Sequence, residues 1–197
     1  MTREIRLVAL GGLGEIGKNL MLLESGPDII AIDCGLAFPK DEMLGVDFVI
    51  PDISYLVERK DRVRGIFLTH GHEDHVGALP FVLKEVNVPV YGTKLTLGLA
   101  RRKMDENFEG PFDFRVVAPR DVVEVGSLQV EFVRMTHSVS DSAGLIIHTP
   151  CGTVVFTGDF KLDQTPVDGE VPDYHRLAEV GERGLLALLS DSTHADR

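Results

Sequence analysis

The amino-acid sequence predicts a single domain of the α/β or α+β class. Short apolar runs dominate the chain, and most of them are about four to eight residues long, partly β-branched and bounded by Gly, Pro, Asp or Ser, which is typical of strands. Three other stretches carry apolar residues at helical spacing. The 197 residues are 44% hydrophobic and 26% charged, which is enough apolar material for one sizeable core.

Eight runs are predicted to be strands. In chain order they are IRLVAL, NLMLLE, IIAID, GIFLTH, VEFVRMT, GLIIHT, TVVFTGD and LLALLSD. The second and third are separated by a Ser-Gly-Pro-Asp turn, so they are expected to pair as a hairpin. Helices are predicted over GALPFVLKEV, KLTLGLARRKM and YHRLAEVGE, and the second has Leu95, Leu99 and Met104 at helical spacing.

The glycine-rich segment after the first strand has two interpretations. Gly12, Gly14 and Gly17 match the dinucleotide-binding fingerprint, and Asp33 follows about twenty residues later. That fingerprint needs a helix that opens at the glycines, whereas the predicted hairpin follows here. We therefore expect a tight loop of small residues that lies close to another backbone or to a ligand.

Charge and cysteine content exclude several classes of protein. The formal net charge of −11 argues against a chain that holds nucleic acid by general electrostatic attraction, so a polyanionic substrate would need a metal ion or the basic cluster Arg101–Lys103 to offset the field. The two cysteines, Cys34 and Cys151, are too few for a disulfide framework and are predicted to be packed thiols. A cytoplasmic location is predicted, because there is neither a secretory signal nor an apolar run of about eighteen residues.

The segment LTHGHEDHVGALP carries a concentration of metal-ligand chemistry directly after a predicted strand. His70, His72 and Asp74 would point to one side of an extended bend, and His75 would point elsewhere. This arrangement suits two metal ions, one held by the first two histidines and the other by Asp74 and His75. Mixed imidazole and carboxylate ligands favour zinc, or manganese where oxygen ligands prevail.

Two further residues that follow predicted strands could complete such a site. His137 ends VEFVRMTH, and Asp159 ends TVVFTGD. We expect His137 to join the first metal and Asp159 to bridge both.

The order of these residues resembles that of the metallo-β-lactamase superfamily. The segments LGGLGEIGKN, DEMLGVDFVIPD, LTHGHEDHVGALPFVL and HTPCGTVVFTGDFKLDQTPVDG are similar to the N-terminal part of bacterial ribonuclease J, in the β-CASP group of RNA-processing nucleases, over about Ile5 to Thr193. The resemblance implies a four-layer αββα sandwich with two divalent metal ions. It implies 5′-to-3′ exonuclease and endonuclease activity on single-stranded RNA with a 5′ monophosphate, in mRNA decay and rRNA maturation. It further implies a homodimer or higher homo-oligomer for full-length members.

The resemblance also implies a role for each site residue. Asp74 would hold the attacking water and accept its proton during metal-assisted hydrolysis of a phosphodiester. Asp33 is a candidate from its position at a strand end near the same edge, and it either orients a liganding imidazole or is a structural turn residue. Asp191 matches the acidic residue that begins the β-CASP motifs. The expected metal ligands are His70, His72, Asp74, His75, His137 and Asp159.

The chain is expected to correspond only to the N-terminal portion of such an enzyme, with residues 1–197 forming an incomplete metallo-β-lactamase domain. The β-CASP insert, the returning segment with its last metal-ligating histidine and the C-terminal domain have no counterpart here, so exposed strand edges are predicted. Asp191 would lack the histidine that it orients in the family. His194 stands where the family more often has Asn, and it is a candidate for the absent ligand.

Other functions stay open at this point. A small-molecule hydrolase of the thioesterase or lactamase kind would use the same ligands, and the chain could also be a non-catalytic metal-binding module. A separate acidic loop with Asp41, Glu42 and Asp47 is either a calcium site or a solvated loop.

Overall fold

The computed structural model describes residues 4–193 and 195, which form two β-sheets flanked by helices. The first sheet has the order β1-β2-β3-β4-β5-β6, with strands Ile5–Gly11, Leu20–Ser25, Asp28–Ile32, Val63–Phe67, Val90–Gly92 and Phe114–Val116. Strands β1 to β3 pair antiparallel, and β3 to β6 pair parallel.

The second sheet has the order β11-β10-β9-β8-β7. Strands β7 to β11 span Val122–Val125, Leu128–Arg134, Ala143–Thr149, Gly152–Phe156 and Ala187–Leu189. All its pairs are antiparallel except β10 with β11. The helices α1 to α5 span Ser54–Val57, Glu73–Val76, Leu79–Glu85, Lys94–Asn107 and Tyr174–Glu182, and a 3-10 turn occupies Lys60–Arg62.

The layers follow from the alternation of side chains along the strands. In β2, Leu20 and Leu22 join the core beneath α1 to α4, whereas Met21 and Leu23 join the core between the two sheets. In β9 of the second sheet, Leu145 and Ile147 face the inter-sheet core, and Ile146 packs with Val180 of α5. Because the side-chain period of a strand is two, each sheet buries both faces, and the layers run helix, sheet, sheet, helix. The predicted mixed fold with two sheets is confirmed.

Most predicted elements are present, with corrections at several points. The hairpin forms with Ser25 paired to Asp28, and α5 has the predicted bounds. The prediction omits β5, β6 and β7, which are three or four residues long and lack an apolar run like LLALLSD, which marks the equally short β11. In α4 the buried apolar face holds Leu97, Ala100 and Met104, whereas Leu95 and Leu99 are exposed.

The glycine-rich segment forms a bent loop, as expected, and the dinucleotide interpretation is wrong. Residues 12–17 contain no helix. Gly12, Gly14 and Gly17 all have positive φ. A Cβ on Gly17 would lie 2.8 Å from Ala37 Cβ, so this loop does lie close to another backbone segment.

Three further observations concern the strand edges, the cysteines and membrane-spanning helices. Among the strands of residues 4–193, β11 pairs with β10 alone, and Leu186 and Leu188 beside that open edge are exposed. Cys34 is buried and Cys151 half-buried, both as free thiols, and burial raises the pKa of Cys34. Among residues 4–193 and 195, no helix has the length and apolar character needed to cross a membrane.

Candidate metal centre

The candidate site lies where several strands end at one edge of the two sheets. Strand β4 ends at Phe67, and the chain continues through Thr69 into the bend that carries the histidines. Backbone bonds tie this bend to both sheets, because Asp33 N donates to Phe67 O at 2.9 Å and Ala143 N donates to Thr69 O at 2.8 Å. Side chains that follow strands of both sheets therefore meet at this edge.

One group of ligand atoms comes from His70, His72 and His137, which lie within 4.8 Å of one another. His70 Nε2 and His72 Nδ1 are 3.0 Å apart, and the ring centroid of His137 is 4.9 Å from that of His70 and 5.0 Å from that of His72. Three imidazoles supply the ligand atoms of this group. This donor set fits a zinc-like ion.

A second group joins His70, His75 and Asp159 within the same distance limit. Asp159 Oδ1 is 3.4 Å from His75 Nε2, and its Oδ2 is 3.7 Å from His137 Nε2, so the carboxylate faces both groups. Asp74 Oδ2 is 3.7 Å from His75 Nε2. All six residues expected to hold metal are thus brought together, although the two groups share His70.

Asp33 holds one of these imidazoles in a defined orientation. Its buried carboxylate lies 2.8 Å from His75 Nδ1 and also accepts hydrogen bonds from Thr69 N at 2.8 Å and Thr69 Oγ1 at 3.0 Å. With Nδ1 engaged, His75 presents Nε2 to the centre. Thr69 Oγ1 is likewise 3.0 Å from His70 Nδ1. The backbone of Asp33 has a φ of 59°, a strained conformation for a non-glycine residue that accompanies this arrangement.

The protonation behaviour of the cluster reflects its burial and its two carboxylates. Burial, followed by the neighbouring His75, lowers the pKa of His70. Burial also lowers the pKa of His137. For His75, burial acts to lower the pKa, but Asp33 and Asp159 outweigh it and raise the pKa to about 10. For Asp159, burial acts to raise the pKa, but the surrounding histidines outweigh it and lower the pKa.

The arginines of the basic cluster do not contact the site, contrary to expectation. Arg102 is paired with Glu106 on the exposed face of α4, and Arg101 lies over the rings of Phe112 and Phe114. The member that touches the bend is Lys103, whose Nζ is 2.8 Å from Glu73 Oε1.

The remaining predicted residues have different outcomes. Asp191 is held next to Thr157, since its N donates to Thr157 Oγ1 at 3.1 Å, and its Oδ1 accepts from Thr193 N at 2.8 Å. His194 lies outside the described residues. Within residues 4–193 and 195, the exposed acids Asp41, Glu42 and Asp47 form no three-ligand group, so the calcium interpretation gains no geometric basis.

Asn19 is a site residue that sequence reasoning missed. Its Nδ2 lies 3.0 Å from Asp74 O, where it donates a hydrogen bond, and 3.0 Å from His75 Nε2. The available signal was a polar residue at the end of the glycine-rich loop, directly before the apolar strand β2. That signal alone does not indicate a contact with residues 55 and 56 positions away.

Comparisons with known proteins agree with this geometry. The family described as the metallo-beta-lactamase superfamily matches residues 13–191. Ribonuclease J2 of Bacillus subtilis is 49% identical over 197 residues, which are 100% of this chain and 36% of that protein. Ribonuclease J of Helicobacter pylori is 47% identical over 195 residues, which are 98% of this chain and 28% of that protein. The chain thus spans about a third of the length of these relatives.

A solved structure shows the same fold at low sequence identity. Unliganded yeast PDE1 superposes with a TM-score of 0.66 at 14% identity, over 96% of this chain and 75% of that chain. At this identity the likeness concerns the fold alone.

Proposed function

The chain belongs to the metallo-beta-lactamase superfamily, and from that premise we propose that it is the metal-binding portion of a ribonuclease that hydrolyses RNA phosphodiester bonds. The observation that carries the proposal is the convergence of four imidazoles and two carboxylates at one sheet edge. The similarity to proteins named Ribonuclease J supports RNA as the substrate.

The donor set supports two divalent ions, with zinc as the first choice and manganese as the alternative. His70, His72 and His137 would hold one ion, while His75 and Asp74 would hold the other. Asp159 would bridge them, since its two oxygens face His75 and His137 separately. The two cations would also offset the negative field of a chain with formal charge −11, which otherwise repels RNA.

The residues of the chain supply orientation and proton transfer. When bound, two divalent cations lower the pKa of a water and stabilise negative charge on the phosphoryl oxygens. The carboxylate of Asp74 is about one third exposed at the rim, where it can accept the proton of the attacking water. Asp33 and Thr69 keep the His75 and His70 rings aimed at the centre during this step.

The finer features of the proposal extend to a longer protein. We infer 5′-to-3′ exonuclease and endonuclease activity on single-stranded RNA with a 5′ monophosphate, in mRNA decay and rRNA maturation in the cytoplasm. The proposed full-length enzyme forms a homodimer or higher homo-oligomer, to which residues 1–197 contribute the N-terminal portion of the metallo-β-lactamase domain. The open edge of β11 is compatible with further strands supplied by other parts of such a protein.

Metal stoichiometry is the first test. The chain is stripped with chelator, reconstituted with zinc or manganese and examined by native mass spectrometry. We expect one or two ions per chain, with loss of an ion in His72→Ala. His175→Ala is the matched control, because His175 is an exposed histidine on α5.

Substrate class is tested next on the loaded chain and on a longer protein that contains it. Metal-dependent cleavage of 5′-monophosphorylated RNA, abolished by His72→Ala and kept in His175→Ala, is the expected result. Cleavage of a thioester but not of RNA would replace the proposal with a small-molecule hydrolase. Tight metal binding without hydrolysis of any ester by either protein would make the chain a non-catalytic module.

A further inference from the structure

The carboxamide of Asn19 projects into the candidate metal centre from the end of the glycine-rich loop. Its Nδ2 is 3.0 Å from Asp74 O, 3.0 Å from His75 Nε2 and 3.4 Å from Asp74 Oδ2. The orientation of the amide is fixed, because a backbone carbonyl can only accept a hydrogen bond. The donor end of Asn19 therefore faces the two residues that would hold the second ion.

The backbone around Asn19 is tied to the same part of the molecule. Asn19 N donates to Asp74 O at 3.1 Å, Gly35 N donates to Asn19 O at 2.9 Å, and Lys18 N donates to Leu36 O at 3.0 Å. Both the side chain and the backbone amide of Asn19 thus converge on one carbonyl of the bend. This network holds three chain segments together: the glycine-rich loop, residues 33–37 and the bend.

Glycine at particular positions is what allows this close approach. A Cβ on Gly12 would lie 2.4 Å from Asn19 Oδ1, and a Cβ on Gly35 would lie 1.5 Å from Asp74 O. Gly14 differs, because a Cβ there would meet nothing within 4 Å. The fingerprint-like spacing of glycines therefore includes one position, Gly12, whose missing side chain makes room for the carboxamide.

We propose that Asn19 is a positioning residue for Asp74 and His75, and that Gly12 is glycine because a side chain there would displace the Asn19 carboxamide. The inference rests on the proposed function, since it assigns a role within that metal centre. A cation on His75 takes the lone pair of Nε2, so the Nδ2 hydrogens of Asn19 are then directed to the carbonyl and carboxylate of Asp74. Asn19 in this way holds Asp74, the proposed proton acceptor, beside His75.

Binding of Co²⁺ to the metal-free chain tests the proposal without an activity assay. Titration followed by visible absorption and native mass spectrometry resolves the binding steps, and His137→Ala identifies the step that belongs to the His70–His72–His137 group. We expect Asn19→Ala to weaken the other step by about tenfold to a hundredfold, which is the usual effect of losing a group that orients a metal ligand. The step of the three-histidine group should be unchanged, because the side-chain hydrogen bonds of Asn19 within the described part of the chain reach Asp74 and His75.

The matched control is Asn87→Ala. The Asn87 side chain also donates through Nδ2 to a backbone carbonyl at 3.0 Å, that of Pro111, but on an exposed part of the surface. It should leave both binding steps and the Co²⁺ spectrum unchanged. A merely structural role for Asn19 would instead lower the unfolding temperature of the metal-free chain and weaken both steps alike.

A second pair of variants moves the carboxamide without removing it. Gly12→Ala and Gly14→Ala impose similar backbone strain, since φ is 85° and 70° at these positions. Only Gly12→Ala brings a methyl group against Asn19. We expect Gly12→Ala to weaken the Asp74–His75 step and Gly14→Ala to leave it unchanged, so the proposal can be tested even if Asn19→Ala fails to fold.

The outcomes separate this inference from the proposed function. If the wild-type chain binds Co²⁺ in two steps and both Asn19→Ala and Gly12→Ala bind as it does, the positioning role is wrong and the proposed function stands. A folded wild-type chain that binds no Co²⁺ would overturn the proposed function and the inference together.

Discussion

Two clusters of charged and titratable side chains, one on the outer face of the second sheet and the other at the edge of the two sheets, are built in opposite ways. On the outer face, the buried Glu131 accepts hydrogen bonds from Arg176 Nε and Nη2, both at 2.7 Å, and Arg176 Nη1 also donates to Glu179 at 2.8 Å. At the sheet edge, His70 Nε2 and His72 Nδ1 face each other at 3.0 Å, within a group of imidazoles. The first cluster satisfies its charges internally, whereas the second directs its ligand atoms at one another.

The difference distinguishes a structural polar cluster from a functional one. Arg176 joins α5 to the second sheet, and its hydrogen bonds to Glu131 raise its pKa further above the physiological range. Nothing in that network calls for an added ion. In the histidine cluster the ligand atoms of each group lie within 4.8 Å of one another, and imidazole and carboxylate are ligands that zinc binds. We therefore expect perturbation of the first cluster to change stability and perturbation of the second to change metal binding.

The largest expected effect is that of Asp159→Asn on metal binding. The Asp159 carboxylate faces both ligand groups, so neutralising it should weaken the binding of both ions. Loss of a direct ligand should exceed the roughly hundredfold upper range seen when groups that merely orient ligands are lost. Native mass spectrometry at limiting zinc measures this loss.

Asp163→Asn provides the control for this prediction. Asp163 is an aspartate in the same segment that pairs with Lys161 at 3.0 Å rather than facing a histidine. Retention of both ions by Asp159→Asn would remove the proposed bridging role.

Glu131→Gln should do the reverse, lowering stability and leaving metal binding intact. Removing one partner of a buried ion pair leaves the other uncompensated, which costs about 3 kcal/mol of unfolding free energy. Urea denaturation of the metal-free chain measures the effect, with the ion count as the second readout. Glu179→Gln is the control, because Glu179 contacts the same guanidinium from a more exposed position and should cost less.

A change of ion count in Glu131→Gln would show that the two clusters are coupled through the sheet. A drop in stability as small as that of Glu179→Gln would instead show that the network is not the main anchor of α5.

The two clusters should also differ in their dependence on pH. The pKa of His75 rises from an ordinary 6.5 to about 10, where Asp33 and Asp159 outweigh burial. A raised folded-state pKa contributes stability that is complete below about pH 6.5 and is lost as pH rises through about 10. The melting temperature of the chelator-treated chain should therefore decline as the pH rises between these two values.

Asp33→Asn should flatten this decline, because it removes the charge that contributes most to raising the pKa of His75. Metal binding should strengthen over the same pH range, because the ion replaces a proton on the imidazole. Glu131→Gln should not alter the slope, since Arg176 does not titrate there. A pH-independent melting temperature in the wild-type chain would contradict the assignment of the decline to His75.

The sequence alone predicts much of the site and less of its surroundings. His70, His72, His137 and Asp159 each follow an apolar strand, and ligands at strand ends leave a recognisable pattern. Asn19 leaves none, because its partners are distant in the sequence and its contact depends on the path of the glycine-rich loop. The expectation that Arg101 adds positive charge near the site is wrong for a related reason. The sequence shows its charge, but it does not show that the side chain lies over the rings of Phe112 and Phe114.

The fold divides in the same way. Strands β2 and β3 are buried on both faces, so their sequences are continuous apolar runs, and these runs and the turn between them predict the hairpin. Strand β6 is only three residues long and has no comparable pattern. Leu99 shows how tertiary contacts override spacing, since it packs on Gly71 in the bend rather than in the main core. A Cβ on Gly71 would lie 2.4 Å from Leu99 Cδ1.

The smallest expected effect comes from Arg102→Ala on α4. The Arg102 and Glu106 side chains are 82% and 50% exposed, and such a pair contributes less than about 0.5 kcal/mol. Its neighbour Lys103 provides the contrast, because it pairs with Glu73, one of whose carboxylate oxygens is buried and has no partner among the described residues. Lys103→Ala should therefore cost more stability than Arg102→Ala in urea denaturation. Since Glu73 lies between His72 and Asp74, only Lys103→Ala should also alter the Co²⁺ spectrum, and equal behaviour of the two variants would show that α4 does not help to hold the bend.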